Sequence, residues 1–145
     1  MVEVSLARLN AMRAYFALIL VERAWRVLPA FVDPERPLGP FDGTAYAFWG
    51  ALALLAALGL RYPLRMVPLL LIHLVYKSLW LLGVALPRWA VGEPFDPLMT
   101  SFAWAMAIGV VLDLLVMPWS YVVAYYVRSP GDAWRGKPGG MTAAF

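Results

Sequence analysis

The chain has 145 residues, 63% of them hydrophobic and 14% charged, with a net charge of +3 and no cysteine. Soluble domains run at about 45–50% apolar and about 25% charged, so both proportions point to lipid as the solvent. The lack of cysteine excludes disulfides, thiolate metal sites and cysteine nucleophiles, and the single histidine excludes a histidine-rich metal site within one chain.

The length allows one domain of four spans at about 20 residues each. The basic residues gather at predicted helix ends, where they mark a cytoplasmic side rather than a nucleic-acid surface. The apolar run Ala14–Val21 follows Arg8 and Arg13 as a signal-peptide core would. Glu22-Arg23-Ala24-Trp25-Arg26 stands where a small-residue cleavage site belongs, so the segment reads as retained.

The first helix is predicted over 7–31, with Glu22 and Arg26 on one face at i, i+4 spacing and the arginine stems reaching the outer interface. Asp33-Pro34-Glu35-Arg36-Pro37-Leu38-Gly39-Pro40 breaks it and reads as an extended exterior loop. The second helix, 43–60, is uncharged, and Gly50, Ala53 and Ala57 recur on a small-residue face suited to close helix packing in lipid. The basic turn Arg61-Tyr62-Pro63-Leu64-Arg65 predicts that helices two and three form a hairpin.

The third helix, 66–86, carries His73 and Lys77 one turn apart on one face, with Tyr76 on the next stripe. A lysine near the middle of a hydrocarbon slab costs roughly 2.5–3.5 kcal/mol on insertion scales, so another helix has to supply its partner. After a loop from Pro87, Asp96-Pro97 reads as N-cap and first turn of a fourth helix over 97–127. That helix carries Asp113, kinks at Pro118 and ends in an aromatic belt of Trp119, Tyr121, Tyr125 and Tyr126 at the interface. Residues 129–145 read as a cytoplasmic tail after a single transmembrane domain, 1–128.

Arg8, Arg13, Arg61, Arg65, Arg128, Arg135 and Lys137 fall on one side of this layout, and the acidic loops fall on the other. The expected fold is therefore an all-α, left-handed four-helix transmembrane bundle with both termini cytoplasmic and an interfacial C-terminal extension. Counting about 1.5 Å per residue along each helix puts Glu22 level with Lys77, and His73 near the level of Asp113. Two cross-helix pairs follow, Glu22–Lys77 and His73–Asp113, with Tyr76, Ser78 and Tyr46 available to complete hydrogen bonds. No nucleophile–base spacing, phosphate loop or metal-ligand motif accompanies them, so no catalytic residue, metal or cofactor is assigned.

Leu60-Arg61-Tyr62-Pro63-Leu64-Arg65-Met66-Val67-Pro68-Leu69-Leu70-Leu71 with Tyr76-Lys77-Ser78-Leu79-Trp80-Leu81-Leu82, and Pro118-Trp119-Ser120-Tyr121-Val122 with Tyr126-Val127-Arg128-Ser129-Pro130-Gly131-Asp132-Ala133-Trp134-Arg135, carry a resemblance. The chain resembles a group of small bacterial four-helix integral membrane proteins and is similar to DoxX-like proteins in size and architecture. Members of the group often have a carboxylate where this chain has His73, and Trp-Lys where it has Tyr76-Lys77. The resemblance implies a multi-pass protein of the bacterial inner membrane and carries no activity with it. Trp134-Arg135, after the Pro130-Gly131 turn, is the expected cytoplasmic docking element.

Two functional readings stand at this point. In the first, the protein is a non-enzymatic subunit or a lipid- or partner-binding protein whose neighbours are the bilayer, a partner membrane subunit or further copies of itself, and not nucleic acid. In the second, Glu22, His73, Tyr76, Lys77 and Asp113 form a binding site in a proton-coupled or small-molecule carrier or a membrane enzyme. A dry, closed cluster favours the first. A cavity that joins the cluster to one surface favours the second.

Overall fold

The computed structural model describes residues 3–33 and 37–131, helical apart from short connecting segments, with no strand among the described residues. Four long helices follow one another: α1 (Leu6–Val32), α2 (Pro40–Arg61), α3 (Val67–Ala90) and α4 (Pro97–Val116). A short fifth helix, α5, covers 119–128. The expected bundle of four helices with an extended last one is thus corrected to five helices among the described residues.

The correction has a local cause. A residue that precedes proline is pushed out of the α region, and Met117 takes φ −54°, ψ 127° ahead of Pro118. The helix stops there instead of kinking. Its orphaned carbonyls then find donors: Trp119 Nε1 donates to Leu114 O at 2.9 Å, and the Arg8 guanidinium donates to Leu115 O. Arg13 Nε likewise donates to Leu60 O at 3.3 Å, near the end of α2. Cations at helix C-termini also complement the helix dipole.

Two other boundaries differ from the sequence reading, both at prolines. Pro40 opens α2 at its first position behind an extended Gly39, because a missing N–H is no loss in the first turn. Pro87 lies inside α3, which runs on to Ala90. The helix accommodates it by widening into a π-turn over Leu81–Ala85, where Leu86 N donates to Leu81 O. α3 then ends in a Schellman turn, with Gly92 at φ 73° and Glu93 N and Gly92 N donating to Arg88 O and Trp89 O, each at 3.0 Å. The Asp96-Pro97 start of α4 is as expected, with Asp96 Oδ1 accepting from Met99 N at 2.6 Å.

The closest packing joins α1 to α2 and α3 to α4, while α2 and α3 touch only lightly across their turn. The expected α2–α3 hairpin is therefore loose, and the two tight hairpins lie on either side of it. Gly59 lets α2 press on α1: a Cβ there would overlap the Phe16 ring. Phe16, Met12, Leu70, Val67 and Met117 are fully buried and form the core with Leu52 and Ala56.

The outward faces are apolar as well. Leu54, Leu58, Ile72, Leu79, Trp104 and Leu115 are all exposed. A helix that is apolar all round belongs in a large core or in a membrane, and among the described residues no second layer covers these faces. α2, α3 and α4 are each long and apolar enough to cross a membrane.

Candidate functional site: a buried Lys–His–Asp cluster beside a cavity

The site grows from one turn of α3 and one turn of α4. His73 and Lys77, successive residues on one stripe of α3, face Asp113 on the antiparallel α4. Lys77 Nζ donates to Asp113 Oδ2 at 3.0 Å and lies 2.8 Å from His73 Nδ1, while His73 Nδ1 is 3.3 Å from Asp113 Oδ1. Asp113 is fully buried, and His73 and Lys77 are each 4% exposed. A desolvated ammonium survives only beside an opposite charge with its hydrogen bonds made, and Asp113 supplies that charge.

Room for the lysine comes from Gly109, one turn before Asp113. A Cβ at Gly109 would sit 2.5 Å from Lys77 Nζ and 2.8 Å from Lys77 Cε. The Lys77 side chain therefore lies against bare α4 backbone. Tyr15 of α1 closes the cluster: Lys77 Nζ donates to Tyr15 Oη at 3.3 Å, and Tyr15 donates on to Gly109 O at 3.4 Å. The Tyr15 ring also meets the His73 ring edge-on, with centroids 6.2 Å apart.

The His73–Asp113 pair expected from helix depth is present. The Glu22–Lys77 pair is not. Glu22 is held within its own helix by Arg23 (Nε–Oε2 3.2 Å) and by Arg26, and Lys77 is taken by Asp113. Depth along a helix gives the level of a side chain but not its rotation about the axis, and rotation separates this pair. Tyr76 lies next to the cluster, its ring 5.4 Å from that of His73, and its hydroxyl accepts from Arg23. The hydroxyl bonded to Lys77 is that of Tyr15, while Tyr46 packs edge-on against Trp49.

Arg23 does not reach outward as expected. It is 6% exposed, with its guanidinium carbon 5.3 Å from the Trp49 ring and 5.9 Å from the Tyr76 ring. Planar, weakly hydrated guanidinium suits such a slot between aromatic faces. Three residues of the site escaped the sequence reading: Tyr15, Arg23 and Gly109. The signals were present. Arg23 falls one turn from Ile19 and one from Val27 on the buried stripe of α1, and Gly109 falls one turn before Asp113.

A cavity of about 280 Å³ borders Tyr15, Arg23, His73, Lys77 and Gly109, while Asp113 and Tyr76 do not line it. Lys77, His73 and Gly109 line its inner end. Glu22, Arg23 and Arg26 line it further along α1, and Leu98 and Ser101 line it on the first turns of α4. Leu18 and Ile108 contribute apolar wall while also being exposed on the outer face of the protein. The space thus runs from a buried ion pair toward the end where α1 finishes and α4 begins, and its flank between α1 and α4 reaches the apolar exterior. Among the described residues, no group of three or more His, Asp or Glu side chains converges as a metal site would require. Trp134-Arg135, the expected docking element, lies outside the described residues.

Set against models of protein families, curated proteins and solved structures, the chain matches none. Its class rests on its own fold and site: a small all-helical chain with three helices long and apolar enough to cross a membrane, built around a buried Lys–His–Asp cluster.

Proposed function

We propose that this chain is a multi-pass protein of the bacterial inner membrane that binds a small amphipathic ligand between α1, α3 and α4, without turning it over chemically. The cavity carries this reading. Its inner end is polar and charged, its flank is apolar and reaches the exterior, and pockets for small molecules combine these two features. A dry cluster serving only to fix helix packing would have no use for it. α1 supports a fourth span despite its charges, because Leu18, Val21, Trp25, Leu28 and Phe31 face outward while Arg23 turns in. The excess of Arg8, Arg13, Arg61, Arg65 and Arg128 on one side supports the reading that both termini lie in the cytoplasm.

Native mass spectrometry of the full chain, gently released from membranes, tests the binding reading. A protein that retains one small molecule at fixed stoichiometry, and loses it on Lys77→Met, supports it. Release of the bare chain from every preparation, or co-release of a second protein subunit with no small molecule, overturns it. A carrier coupled to protons is the second reading. It is favoured by the side-by-side placement of Lys77, His73 and Tyr15, all proton-exchanging groups that line the cavity, with Asp113 bonded to Lys77 behind them. Ligand-dependent proton uptake into vesicles containing the purified chain would establish it.

A further inference from the structure

The arginines of this chain fall into two sets. Arg23 and Arg26 pair with Glu22, and Arg88 pairs with Glu93. Among the described residues, Arg8, Arg13, Arg61 and Arg65 pair with no carboxylate. These four gather at one end of the bundle, where α1 begins, α2 turns into α3 and α4 stops. Their contacts fix that placement: Arg8 donates to Leu115 O near the end of α4, and Arg13 Nε donates to Leu60 O, next in the chain to Arg61. Glu3, just ahead of α1, is the one exposed acid described at that end.

Arg8 and Arg13 are occupied by helix carbonyls. Arg61 and Arg65 are exposed and meet only a ring: their guanidinium carbons lie 5.3 and 5.6 Å from the centroid of Tyr62. No oxygen of the described residues accepts from either guanidinium. Each guanidinium carries five N–H donors, and one aromatic ring holds both within reach of a single small anion. The natural complement is a phosphate, whose oxygens take paired hydrogen bonds from arginine. The flanks of the turn are apolar. Leu58 and Leu60 on the last turn of α2 and Ile72 on α3 are exposed. A free phosphate or a nucleic-acid backbone has no use for such flanks, whereas the acyl chains of a phospholipid do.

From this juxtaposition, and resting on the membrane reading above, we infer that the Arg61–Tyr62–Arg65 turn is a binding site for the headgroup phosphate of an anionic phospholipid. The two guanidiniums donate to the phosphodiester oxygens, and the acyl chains lie along the apolar flanks. Arg13, beside the turn, adds to the field that draws the anion in. The preference for an anionic over a zwitterionic lipid follows from the missing acids. A choline or ethanolamine cation finds no carboxylate beside the turn and faces the arginines instead, while phosphatidylglycerol brings no cation to be repelled.

The test is native mass spectrometry of the purified full chain in a nonionic sugar detergent, given equal amounts of phosphatidylglycerol and phosphatidylcholine with the same acyl chains. The expected result is a one-to-one lipid adduct in which phosphatidylglycerol leads by at least about fivefold, the worth of one arginine at an anionic surface. Joint Arg61→Gln and Arg65→Gln substitution should erase the lead, whereas Arg88→Gln, at the other end of α3, should keep it. Equal adducts of the two lipids, or a lead that survives the joint substitution, overturns the inference. Loss of the phosphatidylglycerol adduct to an equal concentration of glycerol phosphate shows that the site takes free phosphate and overturns the lipid assignment. Alkaline extraction of native membranes keeps the two readings apart. A chain that stays in the membrane pellet but binds both lipids equally loses this inference alone, and a chain released by alkali loses the membrane reading with it. The lipid comparison on the unaltered protein stands even where a variant does not fold.

Discussion

Replacing Asp113 with asparagine isolates the charge at the centre of the site. The substitution keeps the volume and leaves an oxygen that can still accept from Lys77, so no cavity forms and the hydrogen bond survives. What is lost is the counter-charge of an ammonium that is 4% exposed. A hydrogen bond between membrane helices averages only about 0.6 kcal/mol, whereas stranding one member of a buried ion pair costs about 3–5 kcal/mol. The lysine has one escape, to give up its proton. At pH 7, an amine with an ordinary pKa near 10.4 does so for about 4.6 kcal/mol, which caps the penalty within the same range. Asp113→Asn should therefore destabilise the protein by about 3–5 kcal/mol in reversible unfolding in mixed micelles. Pairing Asp113→Leu with Lys77→Met removes both charges and should return stability to within about 1 kcal/mol of the parent, since apolar replacement of a buried pair is often neutral or better. A loss below about 1 kcal/mol for Asp113→Asn, or a double variant as unstable as the sum of its parts, would refute the claim that this pair is desolvated and mutually dependent.

Gly109→Ala places a methyl where Lys77 Nζ and Cε now lie; it should cost about 1–3 kcal/mol by overpacking, and this penalty should vanish in a Lys77→Ala background in the same unfolding assay. Gly59→Ala collides with the Phe16 ring and should destabilise, whereas nothing lies within 4 Å of a Cβ at Gly83, so Gly83→Ala should be neutral or slightly stabilising by helix propensity; the two melts compared side by side check this. Arg8→Ala uncaps Leu115 O and should speed hydrogen exchange around the end of α4 without changing α2. Because the chain has no cysteine, single cysteines introduced at Ser5, Glu93 and Ser129 report topology directly: an impermeant maleimide on intact cells should label the Glu93 position alone.

The sequence disclosed levels better than rotations. Apolar length located the long helices, Asp96-Pro97 located the start of α4, and counting along α3 and α4 brought His73 to Asp113. Glu22–Lys77 failed by the same count, since the rotation that turns Arg23 inward leaves Glu22 to its own helix. Prolines misled in both directions. Pro40 and Pro87 read as breaks and are helical, one by its place in the first turn and one through a π-turn. Pro118 read as a kink and is a break, because Met117 before it leaves the α region. Tyr15 enters the site only through the packing of α1 on α3 and α4, which a one-dimensional pattern does not contain.

The separation of Lys77 from Asp113 also bears on how the protein is made. The two lie 36 residues apart in the chain, and at about 5–20 residues per second the ribosome delivers the carboxylate roughly 2–7 s after the amine. α3 ends at Ala90, 23 residues before Asp113, so for roughly the last 1–5 s of that interval α3 is complete while its lysine has no counter-charge. On the membrane reading proposed above, α3 on its own is then a poor candidate for release into lipid. The insertion machinery must either retain α3 until α4 emerges or admit the two as a unit. On the same membrane reading, the ion pair that joins α3 to α4 also constrains the order in which the two helices enter the bilayer.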